Sequence, residues 1–280
     1  RIYIMNKIEP VVDSFNKGVV KQVNIIKNNG IIKMLISFVT IVTIIYVIYK
    51  TYNFIIEKAQ NEPFILKGYH NATKPYIYNK SLPKSQAGNG FSMIFWMYVG
   101  DWGYKQSKAK HVLHIGSEDG HSVCPGVWLY PENNNLLISI DDHSRNINSP
   151  SMNPEVNSSV LKETKPCDII DIPVQRWLQI GIVLNNKTID IYLNSKLRRS
   201  CTLENVPKLT PGGLYLTQWG GFKGFLSDVQ YISRPISTWE MYRIYRGTSD
   251  RLDVNNLIAG SLNTVIPKVN FNVDFDIELD

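Results

Sequence analysis

One uninterrupted apolar run near the beginning of the chain limits the folds that it can adopt. Residues 34–49, MLISFVTIVTIIYVIY, carry no charge, and Lys33 and Lys50 stand directly outside them. A helix over residues 31–50 is about 30 Å long, which matches the hydrocarbon thickness of a bilayer. Three tyrosines gather at one end of the run, as interfacial aromatics do, at positions 46, 49 and 52. The sequence therefore predicts one transmembrane helix over residues 31–50.

The flanks of this run predict its orientation. Lysines precede it at positions 17, 21, 27 and 33, so the positive-inside rule predicts a cytosolic N-terminal side, with the larger part of the chain across the membrane. A cleaved signal peptide is disfavoured because no small-residue cleavage site follows. A buried core helix is the other alternative, but such helices seldom stay apolar on every face. Residues 1–30 are predicted to form an amphipathic segment, on the membrane surface or against a partner protein, and residues 51–61 a linker.

The pattern changes after residue 61 to short apolar runs separated by Gly, Asn and Pro. Nine runs rich in Val, Ile, Tyr and Trp are typical of strands, and Asn-containing pairs between them can close hairpins. These runs predict an all-β protein body, an antiparallel β-sandwich over residues 62–249. A short helix at residues 238–246 is expected to seal the edge of the sandwich, and an acidic tail follows at residues 250–280.

Five segments of the body occur in an order that resembles the concanavalin A-like lectin/glucanase fold, most closely its laminin G-like jelly-roll branch. They are EPFILKG (62–68), FSMIFWMYVGDW (91–102), GVWLY (126–130), residues 167–203 and residues 221–237. The last two contain PVQRW (173–177), YLNSKL (192–197) and GFKGFLSDV (221–229). A membrane anchor followed by such a domain resembles virion or minor capsid proteins of large nucleocytoplasmic DNA viruses. The resemblance covers about residues 62–247. It implies a jelly-roll sandwich and a structural role in a virus particle.

Catalysis on this fold needs two carboxylates on one strand. The hydrolases that the chain resembles carry them as Glu-x-Asp-x-x-Glu. The nearest string here is Asp274-Phe-Asp276-Ile-Glu278, which begins with Asp and lies outside the predicted domain. We therefore expect a protein that is not an enzyme.

Metal and sugar ligands are weakly indicated. Two acidic pairs, Asp141 with Asp142 and Glu118 with Asp119, are candidates for Ca²⁺, although acidic pairs in loops are usually only solvated. His111, His114 and Cys124 lack the spacing of a zinc site, so no cofactor is predicted. The surface aromatic candidates, which could contact a glycan or a protein, lie near turns at Trp102 and Trp219.

The cysteines and the sequons give further expectations. Cys167 precedes a strand entry and Cys201 ends the third strand of a meander, so the two are predicted to form a disulfide, with Cys124 free. Three reduced thiols are the alternative. The likelier glycosylation acceptors are Asn71 and Asn157, since the third sequon, at Asn186, occupies a tight turn.

The net charge of +6 does not indicate a nucleic-acid partner, because residues 111–249 are neutral and residues 250–280 carry −4. The excess of positive charge lies around the apolar run.

We expect a non-enzymatic, membrane-anchored structural protein of a large DNA virus particle, with its sandwich contacting other capsid or membrane proteins between capsid and inner membrane. A membrane-displayed lectin that binds host glycans is the alternative. Alternate apolar residues in the tail could add a strand to a sheet edge, and deletion of residues 262–280 should then weaken assembly.

Overall fold

The contacts within the chain divide it at the end of its apolar helix, into Arg1–Gln60 and Asn61–Asp280. The structure is a computed structural model, and it describes residues 17–18, 30–86, 88–143, 151–154, 167–209 and 212–261, with side chains to residue 249. The predicted amphipathic segment at residues 1–30 lies almost wholly outside the described residues.

Helix α1 (Gly30–Asn61) contains the apolar run and has no buried residue. Its mean hydropathy reaches 2.5, so the helix is long and apolar enough to cross a membrane. A signal sequence meets the same criteria of length and composition. Residues 51–61, expected as a linker, continue the helix because the first helix-breaking residue is Pro63. The hydroxyl groups of Thr40, Thr43 and Thr51 donate to carbonyls of the preceding turn, which satisfies these polar groups within the helix.

The second unit is an antiparallel β-sandwich, as the sequence predicted. Its strands are β1 (Phe64–Asn71), β2 (Tyr76–Tyr78), β3 (Phe91–Asp101), β4 (Lys110–Gly116), β5 (Val123–Leu129), β6 (Leu136–Ser139), β7 (Trp177–Asn185), β8 (Thr188–Leu193), β9 (Lys196–Thr202), β10 (Gly213–Leu216) and β11 (Lys223–Ile232). One sheet has the order β1-β11-β3-β7-β8-β9, and the other β2-β10-β4-β5-β6.

Tight turns close the β7–β8–β9 meander where the sequence placed them. Asn186 in the first turn has φ 54°, and Asn194 and Ser195 in the second have φ 48° and 64°. These left-handed conformations are the ones that two-residue hairpins require and that asparagine tolerates.

Strand β3 is buried on both of its faces. Its alternate residues Phe91, Met93, Phe95 and Met97 belong to the core between the two sheets. The residues between them point to the outer face, where Ile94 packs in a second cluster with helix α2 (Thr238–Ser261).

Helix α2 covers this outer face. It begins with a capping box, in which Ser237 Oγ accepts the N–H of Glu240 (3.3 Å) and Glu240 Oε2 accepts the N–H of Ser237 (3.5 Å). Met241 packs on Gly181 of β7 so closely that a Cβ at residue 181 would lie 2.3 Å from the Met241 methyl. The helix is longer than expected, because it includes residues 250–261 of the predicted tail, while residues 262–280 lie outside the described residues.

The packing of α2 generates a prediction. Met241→Ala removes a side chain with 0% exposure and leaves a cavity over Gly181, so we expect the free energy of unfolding to fall by about 3 kcal/mol. Urea unfolding of the full chain in detergent, followed by tryptophan fluorescence, measures this change. The control is Tyr242→Ala, on the exposed face of the same helix. Equal effects of the two substitutions would show that α2 does not stabilise the sheet.

Candidate functional site

A pair of buried histidines lies on the outer face of the five-stranded sheet. His111 and His114 are three residues apart on β4, a spacing that places side chains on opposite faces of a regular strand. The pairing of β4 with β5 shifts register between His111 and Leu113, and this irregularity turns both rings to the same face. Their Nε2 and Nδ1 atoms are then 2.8 Å apart.

The hydrogen bonds of the pair are consistent with one tautomer for each ring. Gln218 N–H donates to His111 Nδ1 (3.0 Å), so the proton of His111 is on Nε2. His111 Nε2 then donates to His114 Nδ1, and His114 Nε2 donates to the Ser117 carbonyl (2.9 Å). Both rings are neutral in this chain of bonds. It joins β4 to the segments around residues 117 and 218.

Aromatic rings enclose the pair and exclude water from it. Trp219 is parallel to His114 at 5.5 Å, and Tyr215 stacks on His114 at 4.9 Å. Trp128 meets His111 edge-on at 5.4 Å. Burial lowers the pKa of His114 to about 4, and burial together with the neighbouring His114 lowers the pKa of His111 well below its ordinary value. The pair is therefore a neutral structural element at physiological pH.

Cys124 does not join the two histidines. On β5, Val123 packs in the outer cluster and Cys124 in the core between the sheets, so its thiol lies on the opposite face from the imidazoles. Burial raises the pKa of this thiol to about 12. The part of the chain that the structure describes holds no group of three or more His, Cys, Asp and Glu side chains arranged for a metal.

The residues of the two acidic pairs differ in burial. Asp141 is buried, and its Oδ2 accepts the N–H of Val123 (2.9 Å), which is a structural role. Asp142 is half-buried, and Glu118 and Asp119 are exposed. A hydrogen bond from the Ser117 hydroxyl, followed by one from the His121 N–H, lowers the pKa of Asp119.

The aromatic candidates from the sequence are half-buried. Trp102 packs against the main core, and Trp219 packs against the outer cluster of the five-stranded sheet. A more exposed tryptophan lies on α2 instead. Trp239 is 65% exposed, its ring centroid lies 5.6 Å from that of Tyr242, and the Arg246 guanidinium lies over the Tyr242 ring at 5.9 Å.

The sequence did not predict that Lys110 is buried. Lys110, at the start of β4, is 0% exposed, and its Nζ lies 5.0 Å from the centre of the Trp102 ring and donates to the Pro131 carbonyl (3.3 Å). Burial lowers its pKa to about 8, although the charge of Asp101 opposes the shift. The sequence around Lys110 does not predict its burial, because the residues that cover Lys110 are distant from it in sequence.

Cys167 and Cys201 lie side by side, with their Cα atoms 5.8 Å apart. The sequence predicted this pair, and the bond itself stays a prediction.

Asn71 is exposed at the end of β1, and its Oδ1 accepts hydrogen bonds from the N–H (3.0 Å) and the hydroxyl (2.9 Å) of Thr73 in the sequon. Asn157 lies outside the described residues.

A pocket of about 580 Å³ opens between the sheets at one end of the sandwich. Phe91 and Tyr231 line it from one sheet and Ile115 and Cys124 from the other, and residues 81–85 lie across it. Burial raises the pKa of Tyr231 to about 12, so both its hydroxyl and the Cys124 thiol stay protonated. Neither group is activated for chemistry.

The residues between the end of α1 and the start of β1 form hydrogen bonds and ion pairs with the six-stranded sheet and α2. Ser233 N–H donates to the Asn61 carbonyl (2.9 Å), and Tyr231 N–H donates to the Pro63 carbonyl (3.1 Å). Arg234 forms ion pairs with Glu62 (2.9 Å) and with Glu240 in the first turn of α2 (2.7 Å). This junction therefore ties the start of β1 to β11 and α2.

The histidine pair predicts a specific pH dependence. Below about pH 6.5 both histidines bind protons in the unfolded chain, whereas they stay neutral in the folded chain. The free energy of unfolding therefore falls as the pH decreases towards about 4, the pKa of His114 in the folded chain. The loss amounts to at most about 1.4 kcal/mol per pH unit for each histidine. We expect His111→Gln combined with His114→Gln to flatten this slope in urea unfolding measured from pH 7.5 to 4.5. The exposed His121→Gln is the control, and an unchanged slope in the double variant would contradict the assignment.

No protein-family model and no curated protein matches the chain. Among solved structures, it is similar to the botulinum neurotoxin serotype G binding domain, with a TM-score of 0.42 and 13% identity over 65% of this chain and 46% of that one. It is also similar to the receptor binding domain of botulinum neurotoxin C/D mosaic serotype, with a TM-score of 0.39 and 17% identity over 58% and 37% of the two chains. The chain thus spans less than half the length of these structures, and similarity of this degree carries no conclusion about function.

Proposed function

We propose that this chain is a non-enzymatic, membrane-anchored structural protein whose β-sandwich makes protein contacts. The observation that carries the proposal is α1, whose apolar side chains are exposed along the helix and find no cover among the described residues. Apolar surface of this extent is unfavourable in water, and a bilayer removes it from water while the helix satisfies its own backbone. Residues 31–50 then anchor the sandwich to a membrane, with the N-terminal side in the cytosol.

The junction after the anchor supports a structural role. Only Glu62 and Pro63 separate α1 from β1, and Arg234, Ser233 and Tyr231 bind the residues of this junction. These bonds fix the start of β1 on the six-stranded sheet. A fixed start of the sandwich suits a structural contact in an assembly.

The exposed face of α2 supports a protein partner. Trp239, Tyr242 and Arg246 lie together on it, and tryptophan, tyrosine and arginine are the residues that most often dominate protein interfaces. The sandwich buries its own core, so this face is available for contacts with capsid or membrane proteins.

The proposal extends to the kind of assembly. The order of segments that resembles concanavalin A-like domains, together with an anchor before them, supports a place in a large DNA virus particle between capsid and inner membrane. The two antiparallel sheets of six and five strands agree with a jelly-roll sandwich of that kind.

The role of α2 can be tested in assembled particles. We expect Trp239→Ala in the full chain to reduce its incorporation by about thirtyfold, since a hot-spot residue contributes about 2 kcal/mol. Quantitative mass spectrometry of purified particles measures the incorporation. Tyr69→Ala, which removes an exposed aromatic from β1, is the matched control and should leave incorporation unchanged. Equal incorporation of both variants and the parent would exclude α2 as the contact surface.

A membrane-displayed lectin is the second candidate function. The half-buried rings of Trp219 and Tyr215 supply the aromatic surface that a sugar site uses, and the charges of Glu118 and Asp119 act on the Tyr215 hydroxyl, so carboxylates lie nearby. These four residues could stack on and hydrogen-bond to a glycan.

A glycan array separates the two functions. We expect the full chain in detergent to bind no glycan, with or without Ca²⁺, because Trp219 is largely occupied by its contacts with the histidine pair. Binding that Trp219→Ala abolishes and Trp239→Ala leaves intact would establish the lectin instead.

A further inference from the structure

The six-stranded sheet ends at β9, whose outer edge has no partner strand in the described part of the chain. The strand is seven residues long, and its side chains are exposed or half-buried throughout. An unpaired edge of this length presents backbone N–H and C=O groups that can pair with a further strand. Its occupant can be inferred from geometry and charge.

The other described edges are less suited to receive a strand. The register of β1 against β11 is interrupted twice, and β2 has only three residues. Strand β6 has four residues, and Leu136 at its start already pairs with Ile169. Strand β9 is seven residues long, and its register against β8 is interrupted only once, between Ile191 and Tyr192.

The edge at β9 is positively charged. Lys196 and Arg198 are exposed, and Arg199 is half-buried. The nearest carboxylate on the neighbouring strand, Asp190, accepts a hydrogen bond from Ser200 (2.5 Å), and the exposed Glu204 lies beyond the end of the strand. The two exposed cations, Lys196 and Arg198, favour an acidic strand as the occupant.

Residues 269–280 of the chain have the matching pattern. Their sequence is VNFNVDFDIELD, in which every odd position is apolar and every even position is polar. This strict alternation is typical of a half-buried strand. Four of the even positions are acidic, namely 274, 276, 278 and 280.

We propose that residues 269–280 add a seventh strand to the six-stranded sheet by pairing with the outer edge of β9 in the same chain. Helix α2 packs on this sheet and contacts both β7 and β9, and only residues 262–268 separate its end from the acidic segment. So short a connection gives the segment a high effective concentration at its own sheet.

The faces of the two strands also agree. Arg199 and Cys201 lie opposite Ile191 and Ile189, which belong to the core, so this side of β9 borders the apolar layer between the sheets. The apolar face of the added strand extends that layer, and its carboxylates lie within reach of the long side chains of Lys196 and Arg198 at the edge. The added strand covers the edge that would otherwise pair with other molecules.

Hydrogen exchange of the full chain in lipid nanodiscs tests the pairing. Deletion of residues 269–280 should accelerate exchange of the β9 amides that point away from β8 by about tenfold, because their partners are removed. Asp274→Lys with Asp276→Lys should accelerate the same amides. Adding Lys196→Glu with Arg198→Glu to that variant should restore slow exchange, since the charges are again opposite.

The control for net charge is Lys67→Glu with Lys223→Glu, two exposed lysines on β1 and β11. Combined with the two aspartate substitutions, this control should leave exchange at β9 fast. Unchanged exchange after the deletion would overturn the proposal, and so would equal restoration by the control pair. Protection that disappears on dilution would show that a second copy supplies the strand, which contradicts pairing within one chain.

Discussion

The burial of β3 on both of its faces is the constraint on which the rest of the structure depends. Its inner face fills the space between the two sheets, and its outer face carries Ile94 and Trp96, which would be exposed on a bare sheet. Helix α2 removes this outer surface from water. Met241 fits against Gly181, and the ring of Tyr245 stacks on Trp96 at 5.5 Å. The sandwich is thus incomplete without its C-terminal helix.

The position of α2 depends on the short segment that joins it to β11. Ser92 of β3 donates its hydroxyl to the Arg234 carbonyl (2.8 Å) and accepts the N–H of Ile236 (3.0 Å), so it holds the segment that leads into the helix. Arg234 in turn pairs with Glu62 beside the end of α1 and with Glu240 in α2. One short segment therefore fixes the start of the covering helix and binds Glu62, which precedes β1. The exposed aromatic face of α2 follows from the same placement.

Local sequence patterns identified the elements well where a residue's environment depended on its neighbours in the chain. The strands of the meander and its two turns could be predicted from alternation and spacing. The environments of individual side chains could not. His111 and His114 meet because of one irregularity in β4, and Lys110 is buried by residues distant in sequence. Likewise Trp102 and Trp219 lie near turns yet are half-buried, because neighbouring segments pack on them.

The sequence alone determined the apolar helix, the all-β character of the body and the neutrality of its central part, because hydrophobic periodicity and charge are properties of the chain itself. Only the tertiary structure decided which surfaces are open. It placed residues 51–61 within α1, made α2 a covering layer, enclosed the histidine pair in aromatic rings, and left Trp239 and the basic edge of β9 exposed. The physical reason is that burial is set by contacts between segments far apart in sequence, which no local pattern encodes.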